Sequence, residues 1–156
     1  MHREPIPTAR ELMQRKLVTV RPDEEIEAAV RRLSKKGHSG APVVEEDDTL
    51  VGVLSEHDCI RVMAQSIAEG WPSGQVATHM STDLEIVRPD EDALALSTRF
   101  TQGHHRRLLV VEDGRLVGLV SRRDLMRALE DLEKRMDRSA SRSTYDVMNE
   151  RHRALD

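Results

Sequence analysis

Two serine–aspartate pairs with the same spacing, Ser55-x-x-Asp58 and Ser121-x-x-Asp124, are the residues of this chain best suited to hold a small polar ligand. Each follows an apolar run that begins with glycine, Gly52-Val53-Leu54 or Gly118-Leu119-Val120, and each precedes a stretch with helical periodicity. A serine so placed opens a helix, where free backbone N–H groups and the positive end of the dipole attract anions. Its hydroxyl can donate to a phosphate oxygen, and an aspartate one turn later can accept from both hydroxyls of a ribose. Phosphate donor and ribose acceptor at this spacing suit a nucleotide laid across the helix end. The same four-residue spacing also approximates a capping box, in which the acid turns back onto its own main chain; such boxes usually carry Glu or Gln, one methylene longer. Local sequence leaves both readings open.

The two sites differ in their neighbours. Arg122-Arg123 follow Ser121, whereas Glu56-His57 follow Ser55. Two guanidiniums beside an anion site favour several phosphate charges, and Glu56 opposes them. The run His104-His105-Arg106-Arg107 precedes the second hairpin and is expected to add cations at the Asp124 mouth. The phosphate-binding candidates are therefore Ser55, Ser121, Arg122, Arg123, His57 and Arg106, and the ribose-binding candidates are Asp58 and Asp124. The Asp124 site is expected to prefer polyphosphate forms over the Asp58 site.

The elements that must position these residues occur twice. Met13 … Leu17-Val18-Thr19-Val20-Arg21-Pro22-Asp23-Glu24 returns as Met80 … Leu84-Glu85-Ile86-Val87-Arg88-Pro89-Asp90-Glu91, with the second copy one residue shorter by its closing motif. Self-similarity at fixed spacing marks a supersecondary unit whose apolar face is buried by its neighbour. Thr8-Ala9-Arg10-Glu11 has capping-box spacing and predicts a short turn or helix ending near Met13. Leu17–Val20 and Leu84–Val87 read as strands. Asp23 and Asp90 are expected to start helices, the first with Ile26, Ala29, Val30 and Leu33 on one buried stripe. Ala41–Glu45 with Leu50–Leu54, and Leu108–Val111 with Leu116–Val120, are predicted hairpins. Ser55 then opens a helix with Ile60, Met63, Ala64 and Ile67 on one face. Ser121 opens one with Leu125, Met126, Leu129, Leu132 and Met136. Gly70-Trp71-Pro72-Ser73-Gly74 is a linker by composition, with Trp71 expected to lid a core edge. The predicted organisation is repeat 1 over 8–69, linker 70–75, repeat 2 over 76–136 and a loose tail over 137–156. The tail's pattern decays after Asp137, with a short helix near Tyr145 to Arg153 as an alternative.

Each unit thus reads β-α-β-β-α and closes on Gly-h-h-Ser-x-x-Asp. With the Val-Arg-Pro-Asp-Glu entry and the Ala41-Pro42-Val43-Val44 strand, in that order and in duplicate, the chain resembles the CBS (cystathionine β-synthase) domain, and the pair resembles a Bateman module. The resemblance implies an α+β fold in which two CBS repeats pack through their sheets about a pseudo-twofold axis. It implies adenosine nucleotides (AMP, ADP or ATP) as regulatory ligands at Ser55/Asp58 and Ser121/Asp124, with no required cofactor. It implies base contacts from Thr19, Val20, Ala41, Pro42, Ile86 and Val87. The second copy departs from the pattern: Leu108-Leu109 replace Ala41-Pro42, and Ile86 stands where Thr19 stands. A homodimer, and signalling to a partner enzyme, channel or transporter, are further implications.

Composition narrows the alternatives. Aromatic residues are only 2% of the chain, so the core must be aliphatic. Net charge is −4 with both signs interspersed, which gives no basic footprint for nucleic acid. The single cysteine, Cys59, excludes an internal disulfide and a multi-thiolate zinc site; it aligns with Leu125 and reads as a small core residue. No apolar run approaches the roughly 18 residues of a spanning helix. Met1-His2-Arg3-Glu4-Pro5 leads into no signal segment, so a cytoplasmic location is expected. Adjacent His104 and His105 lack nearby ligands for a tetrahedral metal site, and none is expected. No Ser-His-Asp set, paired carboxylates or phosphate loop is evident, so the chain is not expected to be an enzyme. A regulatory sensor is the expected function; a structural dimerisation module with empty clefts is the alternative.

Overall fold

The computed structural model describes residues 3–153. Its elements run α1 (Ala9–Leu12), α2 (Ile26–Lys35), β1 (Ala41–Val44), β2 (Leu50–Leu54), α3 (Glu56–Glu69), α4 (Val76–His79), β3 (Ile86–Val87), α5 (Ala93–Gln102), β4 (Arg107–Glu112), β5 (Arg115–Ser121) and α6 (Arg122–Arg153). Both hairpins form. β1 pairs antiparallel with β2, and β4 with β5, with β3 parallel to β4. The expected first strand, Leu17–Val20, reduces to one parallel bridge between Val20 and Val43. The second hairpin turns through Asp113 (φ 52) and Gly114 (φ 76), the pair of positive φ values a tight hairpin needs.

Three aliphatic clusters make up the interior. The first joins α2, β1, β2 and α3 through residues such as Ile26, Leu33, Leu54 and Val62. The second joins α5, β4, β5 and α6 through Leu96, Phe100, Leu108 and Leu125. The third consists of Val44, Leu109, Leu116 and Leu119, with Leu17, Leu50 and Val53 against them, and seals the two hairpins face to face. The hairpins also exchange hydrogen bonds at their tips: Leu50 N donates to Gly114 O at 3.1 Å, and Leu116 N donates to Asp48 O at 2.9 Å. This reciprocity is the signature of a pseudo-twofold axis.

Chain order and spatial order differ at the lead segments. Ala9 and Met13, at the head of repeat 1, are buried in the second cluster, while Val76 and Met80 belong to the first. Each repeat therefore lends its opening turn to the other. The exchange explains why helices start later than Asp23 and Asp90 predict. Pro22 O accepts from Ala77 N at 2.9 Å, Glu24 O from Val76 N at 2.8 Å, and Gly74 O from Ile26 N at 3.0 Å, so residues 22–25 pair with the incoming segment and α2 begins at Ile26. On the other side, Ala9 N donates to Glu91 O and Ala93 N to Pro7 O, both at 2.8 Å. α5 is then capped by Asp92, which accepts from Ala95 N at 2.9 Å.

The exchange also gives the closing glycines their reason. A Cβ on Gly52 would lie 2.5 Å from Met80 Sδ, and one on Gly118 would lie 2.6 Å from Met13 Cγ. The imported methionines pack onto these two strand positions, which leaves no room for a side chain.

One helix shows which way a face left open by spacing turns, and another corrects an expectation. The α3 stripe Ile60, Met63 and Ile67 faces outward, with Ile60 61% and Ile67 88% exposed. The buried side of α3 is Asp58, Cys59 and Val62, because the helix docks through the turn that follows Ser55. The segment expected to be a loose tail continues α6 without a break to Arg153. It contains neither glycine nor proline, and extending an established helix costs far less than nucleating one. Beyond Leu132 the described side chains of α6 are exposed. Residues 154–156 of that tail, and Met1-His2 at the other end, lie outside the described residues. No helix among the described residues is long and apolar enough to cross a membrane. Trp71 packs on the edge of the first cluster, with the Arg31 guanidinium 5.1 Å from its ring centre.

Candidate functional site

Ser55 follows β2 in an extended conformation (φ −78, ψ 166) and caps α3. Its Oγ accepts from Asp58 N at 3.1 Å and donates to Asp58 Oδ2 at 2.7 Å, and its own N–H donates to the same oxygen at 2.9 Å. A third donor comes from the other repeat: Ser81 Oγ lies 3.0 Å from Asp58 Oδ2. Asp58 is 7% exposed. Its other oxygen, Oδ1, has Arg61 at 3.5 Å. Burial pushes the Asp58 carboxyl up, yet the bonds from Ser55, Ser81 and Arg61 outweigh it and hold the group below the ordinary carboxylate value.

The second mouth repeats the arrangement. Asp124 Oδ2 accepts from Ser121 N at 2.9 Å and from Ser121 Oγ at 2.8 Å. Gln14 Nε2, again from the opposite repeat, reaches Oδ2 at 3.1 Å and Oδ1 at 3.3 Å. Burial raises the Asp124 carboxyl, and the bonds from Ser121 and Gln14 reverse the shift to a net lowering.

Both Ser-x-x-Asp motifs therefore form capping boxes, the reading that local sequence left open beside ligand binding. The two readings are compatible in chemistry, since a carboxylate offers about four lone-pair sites. The box draws mainly on Oδ2. The serine hydroxyl protons, in contrast, are committed to the aspartates. Ser81 and Gln14 are the members that the sequence analysis missed. The repeat itself held the signal: each is the polar residue immediately after the duplicated methionine, Met80 or Met13.

A cavity of about 500 Å³ opens beside Ser55 between the repeats. Ala41, Pro42, Val53 and Leu54 from repeat 1 meet Leu109 and Leu119 from repeat 2 in its apolar wall. Its polar lining comprises Ser39, Ser55, Glu56, Ser81, Asp83, Glu85 and the run His104–Arg107. The volume suits a small-molecule site.

Of the expected site residues, this cavity brings together Ser55, Arg106, Ala41 and Pro42. The basic run His104–Arg107, expected at the Asp124 mouth, lines the Ser55 side instead. Because the sheets face one another, the start of β4 lies against the start of α3, and Arg106 Nη1 stands 3.6 Å from Glu56 Oε2. Only its main chain reaches the other mouth: Arg106 O accepts from Arg122 N at 3.3 Å, and His105 O accepts from Arg122 Nε at 3.1 Å. That bond draws the Arg122 guanidinium to the backbone. Arg123 and His57 are exposed on the first turns of α6 and α3. Val20 and Val87, expected against the base, are each 1% exposed and belong to the first and second clusters. A strand residue shows its side chain to one face only, and theirs is the core face. Thr19 is half-buried and gives its carbonyl to Arg32 Nη2 at 3.2 Å. Ile86 is exposed and lines a separate groove with Arg88 and Arg99.

Two further features bear on chemistry. Among the described residues no group of three or more His, Cys, Asp or Glu side chains could hold a metal ion. The Cys59 thiol is pushed up to about 11, chiefly by burial and further by Asp58 and Glu56. Only the thiolate is nucleophilic. At pH about 8 iodoacetamide is expected to label the folded chain about a hundredfold more slowly than the urea-unfolded chain. Equal rates, followed by mass spectrometry, would contradict the burial.

The CBS domain family profile matches residues 9–65 and 74–131, the span that carries both capping boxes and the cavity. The chain belongs to the CBS domain family. The CBS pair is similar in structure to the CBS-pair protein CBSX2 from Arabidopsis thaliana, with a TM-score of 0.70, 25% identity and coverage of 83% of this chain and 99% of that one. A second structure, CBSX2 in complex with AMP, gives a TM-score of 0.69 at 26% identity over 81% of this chain and 98% of that chain. In sequence, the uncharacterized protein MJ1225 of Methanocaldococcus jannaschii is 28% identical over 120 residues, covering 77% of this chain and 42% of the relative. The A-adding tRNA nucleotidyltransferase of Aquifex aeolicus is 29% identical over 110 residues, covering 70% of this chain and 13% of the enzyme. The chain thus spans less than half the length of these two relatives.

Proposed function

We propose that this CBS pair is a regulatory sensor that binds an adenosine nucleotide in the cavity beside Ser55 and passes the state of that cleft to a partner protein. The observation that carries the reading is the open inter-repeat cavity. An apolar wall of Ala41, Pro42, Leu109 and Leu119 suits a purine, and Arg106 supplies a cation for phosphate. The AMP complex of CBSX2 supports the ligand class. Asp58 is buried behind Ser55 and does not itself line the cavity, so its role toward the ribose requires Oδ1, the oxygen that the cap uses least, to come within reach of the ligand. Ser55 contributes to the phosphate site once ligand competes for its hydroxyl. At the pseudo-equivalent mouth, Asp124, Ser121, Arg122 and Arg123 form a second site of the same class.

The module has no catalytic step of its own in this reading. It acts in the cytoplasm, pairs with a second copy through the exposed apolar faces of α3 and α6, and regulates an enzyme or transporter. Ligand can shift the packing between repeats only by its differential affinity for the two arrangements. A purely structural dimerisation module is the second reading. It is favoured by the closed capping boxes and by the Glu56–Arg106 contact across the cavity.

Thermal unfolding with adenosine, AMP, ADP and ATP separates the two. At a hundredfold excess over the dissociation constant, binding stabilises the native state by about 2.7 kcal/mol. For a chain of this size that raises Tm by about 5–10 °C. No shift with any of the four would favour the structural module.

A further inference from the structure

We infer that Glu56 is a charge selector at the first cleft, limiting how many phosphate groups the bound nucleotide carries; this rests on the nucleotide reading above. Glu56 is the first residue of α3, lines the cavity and directly follows Ser55. Its carboxylate sits at the helix end where the dipole favours an anion, the place a ligand phosphate would otherwise use. Across the cavity Arg106 Nη1 stands 3.6 Å from Glu56 Oε2. Glu85 Oε2 likewise stands 3.6 Å from His105 Nε2, and Asp83 borders the same space. Two of the basic side chains that line the cavity, Arg106 and His105, thus stand beside carboxylates, while Arg107 lines it with no ion-pair partner among the described residues.

A phosphate that reaches Arg106 competes with Glu56, and each further phosphate charge enters a space where three carboxylates oppose the two guanidiniums of Arg106 and Arg107. The adenosine part meets the apolar wall and is indifferent to this charge. The pseudo-equivalent position after Ser121 is Arg122, so the selector belongs to one mouth only. Glu56 and Arg106 are both well exposed, so their pairing adds little to stability and can be changed without unfolding the chain.

Calorimetry on the full chain with adenosine, AMP, ADP and ATP tests this in wild type, Glu56→Gln and Glu46→Gln. Glu46 lies in the first hairpin turn outside the cavity, so its replacement changes net charge equally. Glu56→Gln is expected to tighten ATP about tenfold, the effect of one unit charge at close range in a partly screened site, with smaller gains for ADP and AMP. Adenosine affinity should stay within about twofold, as should all ligands on Glu46→Gln. Equal gains for adenosine and ATP, or the same gain from Glu46→Gln, would overturn the selector while leaving nucleotide binding intact. Binding of none of the four ligands to any of the three proteins would overturn the nucleotide reading, and the selector with it.

Discussion

Gly118→Val is expected to destabilise the chain by about 3 kcal/mol, the upper end of what overpacking a close-packed core costs. In thermal unfolding this is a fall in Tm of about 6–12 °C. Gly118 lies in β5 without a positive φ, so its backbone does not require glycine. Space does: a Cβ there would fall 2.6 Å from Met13 Cγ and 2.8 Å from Met13 Cβ. Met13 is 8% exposed and is anchored by Met13 N donating to Ala9 O at 2.8 Å and by the Gln14–Leu119 bridge. It therefore has little freedom to yield. A double-mutant cycle isolates the contact. Met13→Ala and Gly118→Ala should each destabilise alone, and the pair should cost less than their sum by about 1 kcal/mol or more. Strict additivity would show that the lead segment of repeat 1 does not pack on repeat 2.

Asp58→Ala is the second substitution with a large expected effect, about 3 kcal/mol without any ligand. It removes a cap, worth about 1 kcal/mol, and deprives Ser55 N, Ser55 Oγ and Ser81 Oγ of a charged acceptor in a buried setting. Since Ser81 belongs to the other repeat, the loss also loosens the junction. Denaturant titration at neutral pH measures the drop; a change within about 0.5 kcal/mol, the range of an ordinary surface substitution, would contradict the bonding described.

The same carboxylate gives a pH signature. Its folded value lies below the ordinary 3.8, as does that of Asp124. The unfolded chain then binds more protons than the folded one over the acid range, so stability is fully present above pH about 4. It is lost as pH falls through the ordinary value toward the folded ones. Asp58→Asn retains the side-chain shape and should flatten the part of this acid loss that Asp58 supplies. An acid limb identical to wild type would remove Asp58 from that role.

Much of the architecture was legible in the chain. Ile26, Ala29, Val30 and Leu33 at helical spacing did become the buried face of α2. The hairpins lie where β-rich runs flank Glu46–Thr49 and Glu112–Arg115. The outward turn of Ile60, Met63 and Ile67 was not legible, because periodicity shows that residues share a face and not which face meets the core. Helix α6 outran its expected end for a related reason: weak amphipathic patterning signals lack of burial, and an exposed helix without Gly or Pro needs none to persist once begun.

The candidate site divides along the same line. The duplicated Ser-x-x-Asp spacing marked both helix mouths, because a cap is a local event within four residues. The donors that complete each carboxylate, Ser81 and Gln14, come from the opposite repeat. So does the basic run that faces Ser55 rather than Ser121.

Sequence by itself therefore determined the twinned units, their α+β order and a serine–aspartate pair at the start of each closing helix, since these depend on propensity and spacing over a few residues. Tertiary structure alone decided that the repeats exchange their opening turns, that Met13 and Met80 fill the space above Gly118 and Gly52, and that Arg106 meets Glu56 across an open cavity. Those outcomes depend on how one sheet face lies upon another, and contacts between residues far apart in the chain leave no period in it.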